Sequence, residues 1–490
     1  MKLDPNVLSE KLELILSTLL DTNYLLNPFF RISKITPEQI KKYFFIRNNF
    51  PRVFYIVGFL IIIPIKLLIL FFVILLSMIN NHQYKIYNTK IRASNNLFLS
   101  HGVYSNLEKF ATDRFFDLMP NLVAESSPNT TILYTFQQKF GYRKMNKLLN
   151  MKNPNFQHVL IPKFLRVFEN LTFMKLAMKY SLVCFITGFR TYLRNETEST
   201  ILFSASLTFL NRDSYSNYLI ISRVKDFFNK GTTQRIFLTM EGHSYEQLII
   251  EKLSDLDQEM IFILRQHSPI TPNHVGLKRF LETKTKNLIV LTTGAYYKKY
   301  FESISNNPKY LILGSNKEIG VSDNSNLTKN LVILYVPEAS KFTTLDFIYL
   351  IKSLVLFSPD YLHILRLHPD LRKSVKIQLL LKQIGKYKNF KLSTEDLVED
   401  LNNAGSIVYR SSAVAIQALS SGSIPIFYGT TNDDNSNVLW GLKNVFYTAR
   451  EADDVIDLIK NRDLKLSAIK NHTILESMLN SIDYSIMREV

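Results

Sequence analysis

Two carboxylates follow an apolar run near the middle of the chain. Residues 235–240 predict a buried strand, and Glu241 comes directly after it, beside Gly242. A carboxylate placed at the end of such a strand can accept the proton of an attacking hydroxyl group, which is the work of a general base. Glu246, five residues after Glu241, is the competing base. Glu246 also suits a structural role, because acidic residues are favoured in the first turn of a helix.

Two adjacent hydroxyl groups, Ser411 and Ser412, lie where a predicted strand leads into a predicted helix. Residues 407–409 form the strand and residues 413–419 the helix. The first amides of a helix have no partners within it, and its dipole favours an anion there. The pair could therefore hold a phosphate group, or it could simply cap the helix.

An imidazole ends the preceding predicted strand, at residues 362–367. His368 could hydrogen-bond a leaving phosphate or protonate it. It is followed by Pro369, and Glu338 comes shortly after another apolar strand at residues 331–336. Together with Arg410, which precedes the serine pair, Pro369 and Glu338 complete the predicted nucleotide-binding set.

Arg265 and His267 follow a further strand, at residues 261–264. They could orient an acceptor or the carboxylate of a donor, or they could hydrogen-bond the loop backbone. No set of metal ligands with recognised spacing occurs, and Asp433 and Asp434 lie in an asparagine-rich loop typical of solvated acids. We therefore expect no bound metal or resident cofactor.

The elements that must position these groups alternate between strands and helices from about residue 95. This alternation predicts parallel sheets with helices on both faces, and ligands bind such sheets at the carboxyl ends of their strands. A chain of 490 residues exceeds the size of one core. We predict two Rossmann-like domains, at residues 95–325 and 330–470, with a polar boundary near 322–330. Residues 164–193 predict a helix, and residues 201–203 a strand.

An apolar segment at residues 53–79 follows a basic region at 1–52. Its 27 residues exceed the roughly 20 that cross a bilayer as a helix. One interpretation is a spanning helix kinked at Pro64. The favoured one is a shallow hairpin or in-plane anchor that turns at Pro64 and lets Lys66 reach the headgroups. A buried core helix is the third.

The charge balance favours anionic partners. The chain has 59 Lys and Arg against 42 Asp and Glu, a formal charge of +17. Its basic residues are scattered and no nucleic-acid-binding signature occurs. An anionic membrane surface and a phosphate-bearing donor therefore fit better than nucleic acid. The single cysteine, Cys184, lies in an apolar run and predicts a buried, inert thiol.

Three motifs in this order resemble glycosyltransferases of the GT-B fold that release CMP, such as bacterial sialyltransferases and Kdo transferases. The motifs are Glu241-Gly242, His368-Pro369 and Ser411-Ser412. The wider pattern is similar to a bacterial surface carbohydrate biosynthesis family of the O-antigen type. The resemblance implies two Rossmann-type domains facing a cleft and a CMP-linked acidic sugar as donor. It further implies inversion with Glu241 as base, the His368 and serine side chains at the donor phosphate, and no need for metal.

The acceptor that this resemblance implies is a lipid-linked or surface glycan, at the cytoplasmic side of a bacterial inner membrane. Three other functions share the frame. They are transfer of a polyol phosphate from a CDP-linked donor, as in teichoic-acid polymerases, sugar-nucleotide epimerisation, and a non-catalytic membrane scaffold with a degenerate nucleotide domain.

Overall fold

A computed structural model gives the fold of most of the chain. It describes residues 53–91, 93–102, 113, 115–127, 129–136, 142, 157–191, 196–229, 231, 233–272, 274, 277–283, 285–315, 331–338, 340–430, 434–442, 444–460 and 477–490. The basic region at 1–52, the boundary stretch at 322–330 and Asp433 lie outside these residues.

The first domain is built on a sheet of seven strands. They are β1 (Asn96–Gly102), β2 (Thr130–Phe136), β3 (Gln157–Leu160), β4 (Arg235–Thr239), β5 (Ile261–Arg265), β6 (Leu288–Thr292) and β7 (Lys309–Ile312). All neighbours pair in parallel, in the order β3-β2-β1-β4-β5-β6-β7. The order reverses direction between β1 and β4, which makes this the switch point where ligands of such sheets bind.

The first domain also contains nine described α-helices. They are α1 (Val53–Ile79), α2 (Asn81–Lys90), α3 (Met119–Ser126), α4 (Val167–Thr191), α5 (Glu196–Thr208), α6 (Arg212–Phe228), α7 (Ser244–Ser254), α8 (Leu277–Leu281) and α9 (Ala295–Ile304).

The second domain has a parallel sheet of six strands. They are β8 (Val332–Val336), β9 (Leu362–Leu365), β10 (Phe390–Leu392), β11 (Ser406–Tyr409), β12 (Ile424–Tyr428) and β13 (Tyr447–Ala449). Their order, β10-β9-β8-β11-β12-β13, is that of a dinucleotide-binding fold, with the switch point between β8 and β11. The two Rossmann-type domains predicted from the sequence are therefore confirmed.

Among the residues that the structure describes, five α-helices accompany the second sheet: α10 (Lys341–Phe357), α11 (Val375–Ile384), α12 (Leu397–Asn403), α13 (Val414–Ser420) and α14 (Ala452–Lys460). The central strands of both sheets are apolar on both faces because helices cover both. Ile236, Phe237 and Leu238 of β4 are fully buried, as are Ile333 and Leu334 of β8.

The carboxyl edges of the two sheets face each other. Trp440, in the loop after β12, donates its indole N–H to the carbonyl oxygen of Ile270, in the loop after β5, at 3.1 Å. Its ring also lies 5.0 Å from that of Tyr300 on α9, the helix that follows β6. Loops from the carboxyl ends of both sheets therefore meet at Trp440.

The chain returns to the first domain after α14. Thr293 donates its hydroxyl to the carbonyl oxygen of Met478 at 3.0 Å, and the amide of Ser315 donates to the carbonyl oxygen of Asn480 at 2.9 Å. The approach is so close that a Cβ atom on Gly294 or Gly314 would overlap this backbone. Residues 477–490 thus form part of the first domain.

The apolar segment is one continuous helix, α1, which runs through Pro64. The predicted turn at Pro64 is therefore wrong within the described residues. Lys66 does not extend outward either, since its ammonium donates to the carbonyl oxygen of Leu207 and, at 2.6 Å, to Asn211 Oδ1. α1 packs on α4 and α5, which explains how a helix with an interior proline and lysine stays continuous.

The apolar run at residues 201–203 lies inside α5 and is not a strand. A run of three apolar residues has no period of its own, so its neighbours decide. α5 packs along α4, and Gly188 of α4 lets the two helices approach closely. The helix predicted at 164–193 is confirmed as α4.

Candidate active site between two sheet edges

A carboxylate, Glu241, follows the carboxyl end of β4. β4 stops at Thr239, and Gly242 then turns the chain with φ of 78° before α7 begins. A positive φ is accessible to glycine without strain, so this turn leaves Glu241 at the tip. The Glu241 side chain is 26% exposed, which makes it reachable by a substrate.

Two imidazoles hold the Glu241 carboxylate. His243 Nε2 lies 2.9 Å from Oε2, and His267 Nε2 lies 2.7 Å from Oε1. Both distances fit N–H groups that donate to the carboxylate. The His267 ring packs edge-on against Phe115 at 5.1 Å, and the His243 ring stacks on Tyr245. The carboxylate therefore has a set orientation before any substrate binds.

Glu246 lies behind this turn and is fully buried. Its oxygens accept hydrogen bonds from the Thr239 hydroxyl at 2.8 Å and from the amides of Gly242 and His243 at 2.9 and 3.0 Å. Burial, together with the nearby Glu241 carboxylate, raises the pKa of Glu246 to about 8. The contacts make Glu246 the group that shapes the turn carrying Glu241.

The side chains of Arg265 and His267 contact different groups, although the two residues are only two positions apart. His267 reaches Glu241, whereas the buried Arg265 guanidinium lies 3.7 Å from the sulfur of Met119. Burial lowers the pKa of Arg265, and the nearby acids Asp113 and Asp117 oppose that shift. The structure thus joins His267 with Glu241 and places Arg265 in a separate charged cluster.

At the second switch point, β8 and β11 run side by side with Val336 opposite Tyr409. Two residues beyond this pair, Glu338 and Ser411 leave the neighbouring strands together, with Ser412 next. Both serines are half-buried, and the hydroxyl of Ser412 lies 3.4 Å from the amide of Val414 at the start of α13. The serine pair therefore lies at the helix start that the sequence predicted.

Glu338 is oriented by its own loop. Thr343 donates its hydroxyl to Glu338 Oε1 at 2.5 Å, while Oε2 is buried and has no hydrogen-bond partner. A buried carboxylate oxygen without a partner carries a desolvation cost, so a role for this oxygen is to be sought. Glu338 is thus available to accept hydroxyl groups of a ligand at this edge.

His368 follows β9, the strand on the other side of β8, and is half-buried. Its carbonyl oxygen accepts the amide of Leu371 in the short 3-10 helix Pro369–Leu371, where Pro369 is exposed. The His-Pro pair thus lies just beyond the strand and turns the chain at the carboxyl edge. His368, Glu338 and Ser411 come from three adjacent strands.

Arg410 is engaged by its own domain. Its Nε donates to the carbonyl oxygen of Tyr428 at 3.0 Å, and Nη1 lies 3.0 Å from Asp346 Oδ2. The guanidinium also lies over the rings of Phe347 and Tyr428. These contacts turn most of its donors toward α10 and β12.

Two residues near the site, His243 and Trp440, were not predicted from the sequence. His243 was not among the predicted site residues, yet its place two residues after Glu241 would have been a usable clue. Trp440 gives no such clue, because only the packing of the domains brings it to Ile270. Within the described ranges, no group of three or more His, Cys, Asp or Glu side chains could hold a metal ion.

The comparisons with known proteins find only distant likeness. No family model matches the chain, and none of the curated proteins does. Among solved structures, the chain is similar to Phytolacca americana UGT2 complexed with UDP-2fluoro-glucose and pterostilbene, with 11% identity over 79% of this chain and 95% of that one and a TM-score of 0.42. It is also similar to UDP-GlcNAc 2-epimerase from Neisseria meningitidis bound to UDP-GlcNAc, with 13% identity over 79% and 94% and a TM-score of 0.37. A third is the glycotransferase of kitacinnamycin, with 11% identity over 78% and 94% and a TM-score of 0.42. Likeness at this distance does not place the chain in a family.

Proposed function

We propose that the protein is an inverting glycosyltransferase that takes a sugar from a nucleotide-activated donor. The observation that carries this proposal is that the carboxyl edges of the two sheets carry different kinds of chemical groups. One offers a carboxylate, Glu241, held by two imidazoles, and the other offers Glu338, His368 and the serine pair at a nucleotide-fold switch point. Base and phosphate-binding groups on opposite sides are what a single displacement between acceptor and donor requires.

In this mechanism Glu241 accepts the proton of the acceptor hydroxyl as that oxygen attacks the anomeric carbon. The bond from the anomeric carbon to the phosphate oxygen breaks, and its electron pair leaves with the nucleotide. His243 and His267 hold the carboxylate in line. The negative charge that develops on the leaving phosphate is met by His368 and by the hydroxyl groups of Ser411 and Ser412.

Glu246 is assigned a different role. Its side chain is fully buried and accepts hydrogen bonds from backbone amides of the turn. An acceptor hydroxyl group therefore cannot reach it. We therefore assign the base to Glu241 and the shape of the turn to Glu246. This scheme uses no metal, because His368 and the hydroxyl groups of Ser411 and Ser412 are assigned to the leaving phosphate.

The donor proposed is a CMP-linked acidic sugar, on the strength of the three motifs. The acceptor proposed is a lipid-linked or surface glycan at the cytoplasmic face of a bacterial inner membrane. A glycan acceptor suits a base that is partly open to solvent between two domains.

The test is calorimetric titration of the detergent-solubilised chain with CMP, CDP, UDP and GDP, without added metal. We expect CMP to bind tightest, and His368→Ala or Ser412→Ala to weaken it about tenfold, as loss of one phosphate contact should. His82→Ala, on α2 of the first domain, serves as the matched control and should bind CMP normally.

Other outcomes are equally informative. A preference for UDP or GDP would keep the transferase and remove the donor assignment. Preference for CDP would favour the polyol-phosphate reaction. Binding of none of the four nucleotides would overturn the proposal and favour a non-catalytic scaffold.

A further inference from the structure

The first domain has an apolar surface that the catalytic proposal does not use. On α1, large apolar side chains between Ile61 and Ile79 are exposed, including Leu68 at 56% and Phe72 at 55%. On α4 a second row is exposed. It consists of Phe168, Leu171, Met178, Leu182, Ile186 and Phe189. The two helices pack against each other. Rows of large exposed apolar side chains on two helices in contact are typical of an interaction site.

The charges on α4 identify the kind of partner. Lys175, Lys179 and Arg190 are exposed among its apolar side chains. Its one carboxylate, Glu169, is paired with Arg166 and the buried Arg223. The outer side of α4 is therefore apolar and basic, without an exposed acid, which is the composition of helices that lie on anionic membranes.

The same charges indicate how α1 and α4 meet the lipid. Lys175 and Lys179 lie near the middle of α4, so a bilayer-spanning α4 would place both in the hydrocarbon, at a large cost. A helix lying in the plane of the membrane places them among the headgroups.

The contacts of α1 with the rest of the domain also favour a helix that lies in the plane of the membrane. Its inner side is joined to the domain by Lys66, through Leu207 and Asn211, and by Ser77, which accepts a hydrogen bond from Asn170 Nδ2 at 3.1 Å. A helix bonded along one side to the protein offers lipid only its other side. Lys85, exposed on α2 just beyond α1, adds a further basic group.

We propose that α1 and α4 together form a docking surface that lies in one leaflet of an anionic membrane, without crossing it. The apolar side chains enter the acyl boundary, while Lys175, Lys179, Arg190 and Lys85 contact anionic headgroups. This inference does not depend on the proposed reaction, and its test needs no donor.

The first experiment is co-sedimentation of the full chain with vesicles of phosphatidylcholine alone or with added phosphatidylglycerol. We expect at least about tenfold tighter binding to the anionic vesicles, with loss of that gain at high salt. Lys175→Glu with Lys179→Glu should lower binding to anionic vesicles by about tenfold or more. The matched control is Lys376→Glu with Lys382→Glu, two exposed lysines on α11 of the second domain, which should bind normally.

The second experiment distinguishes lying in the membrane from crossing it. Cysteines are introduced singly at Arg52 and Lys85, before and after α1, and the chain is bound to sealed vesicles. A membrane-impermeant maleimide added outside should label both positions, with the native Cys184 buried and unlabelled.

Three results would overturn the inference. Equal binding to neutral and anionic vesicles, unaffected by the α4 charge reversal, would remove the headgroup contacts. Labelling at only one of the two cysteines would show that α1 crosses the bilayer. Failure to bind vesicles, with a dimer by light scattering that Leu182→Glu dissociates, would assign the surface to a second copy of this chain.

Discussion

The two sheet edges that face each other are built in different ways. At the first edge, Glu241 is bonded to two imidazoles and its turn is bonded to a buried Glu246. At the second, Glu338, His368 and Ser411 come from three adjacent strands and rely mostly on the path of the backbone. The first arrangement fixes a side chain in advance, as proton transfer requires. The second brings an acceptor, Glu338, and two groups that can donate to a phosphate, His368 and Ser411, to the ends of neighbouring strands.

The domains also differ in what encloses them. The first domain is wrapped by α1, α4 and the returning residues 477–490, whose backbone crosses Gly294 and Gly314. The described part of the second domain consists of its sheet and five helices. Because more elements cover the first domain, we expect Glu241 to be carried by the more rigid of the two domains.

The largest expected effect is on turnover. Glu241→Gln keeps the size of the side chain but removes the base, so kcat should fall by about 10³-fold. Affinity for the nucleotide, which is assigned to the other edge, should stay within about twofold. Steady-state kinetics with a sugar donor linked to the nucleotide that binds tightest in calorimetry, together with CMP titration, measures both. Full activity of Glu241→Gln would refute the assignment of the base.

The next effect concerns the histidines. His267→Asn or His243→Asn should lower kcat about tenfold to a hundredfold with little change in KM, because the carboxylate loses its orientation. In a Glu241→Gln background the same changes should cost almost nothing more, since the group they orient is gone. Additive losses in the double variants would instead give the histidines an independent role.

A pair of glycines tests how firmly residues 477–490 close the first domain. Gly314 and Gly422 both have positive φ, 93° and 71°, so alanine strains either backbone. Only at Gly314 would the new Cβ overlap another backbone, that of Ser481. Gly314→Ala should therefore lower the free energy of unfolding by about 2 kcal/mol more than Gly422→Ala. Urea denaturation of the two variants measures this difference. Equal losses of unfolding free energy would mean that the backbone at Ser481 can move away from the new Cβ at little cost.

The smallest effect concerns the dependence of stability on pH. The pKa of Glu246 is raised from 4.5 to about 8, so folding favours its protonated form. Its contribution to stability is then complete below pH 4.5 and is lost as pH rises toward 8. Glu246→Gln, which cannot ionise, should flatten the fall in thermal midpoint across this window. A wild-type midpoint that does not fall with pH would contradict the protonated state.

Sequence patterns located the centre of each sheet but not its edges. The central strands, such as β4 and β8, carry near-continuous apolar runs because they are buried on both faces. The edge strands β3, β7, β10 and β13 have three or four residues each and were not predicted. Short, partly exposed strands have no distinctive period, and their neighbours in space create them.

Pro64 illustrates the opposite error. Proline usually interrupts a helix, which made a turn there reasonable. The packing of α1 on α4 and α5, together with the bonds of Lys66, keeps the helix continuous. Local preference was overridden by tertiary contacts that a single sequence does not display.

By itself the sequence determined the α/β class, the two domains and the strand ends that carry Glu241, His368, Ser411 and Ser412. It could do so because buried parallel strands and the turns that end them leave local patterns in the chain. Only the tertiary structure decided that His243 and His267 share Glu241, that Arg265 turns away from it, and that Glu246 is buried behind it. The contact of His267 with Glu241 joins two separate strand ends, which no spacing along the chain encodes directly. The roles of His243 and Glu246 depend on the exact path of the turn after β4, which residue types alone do not fix.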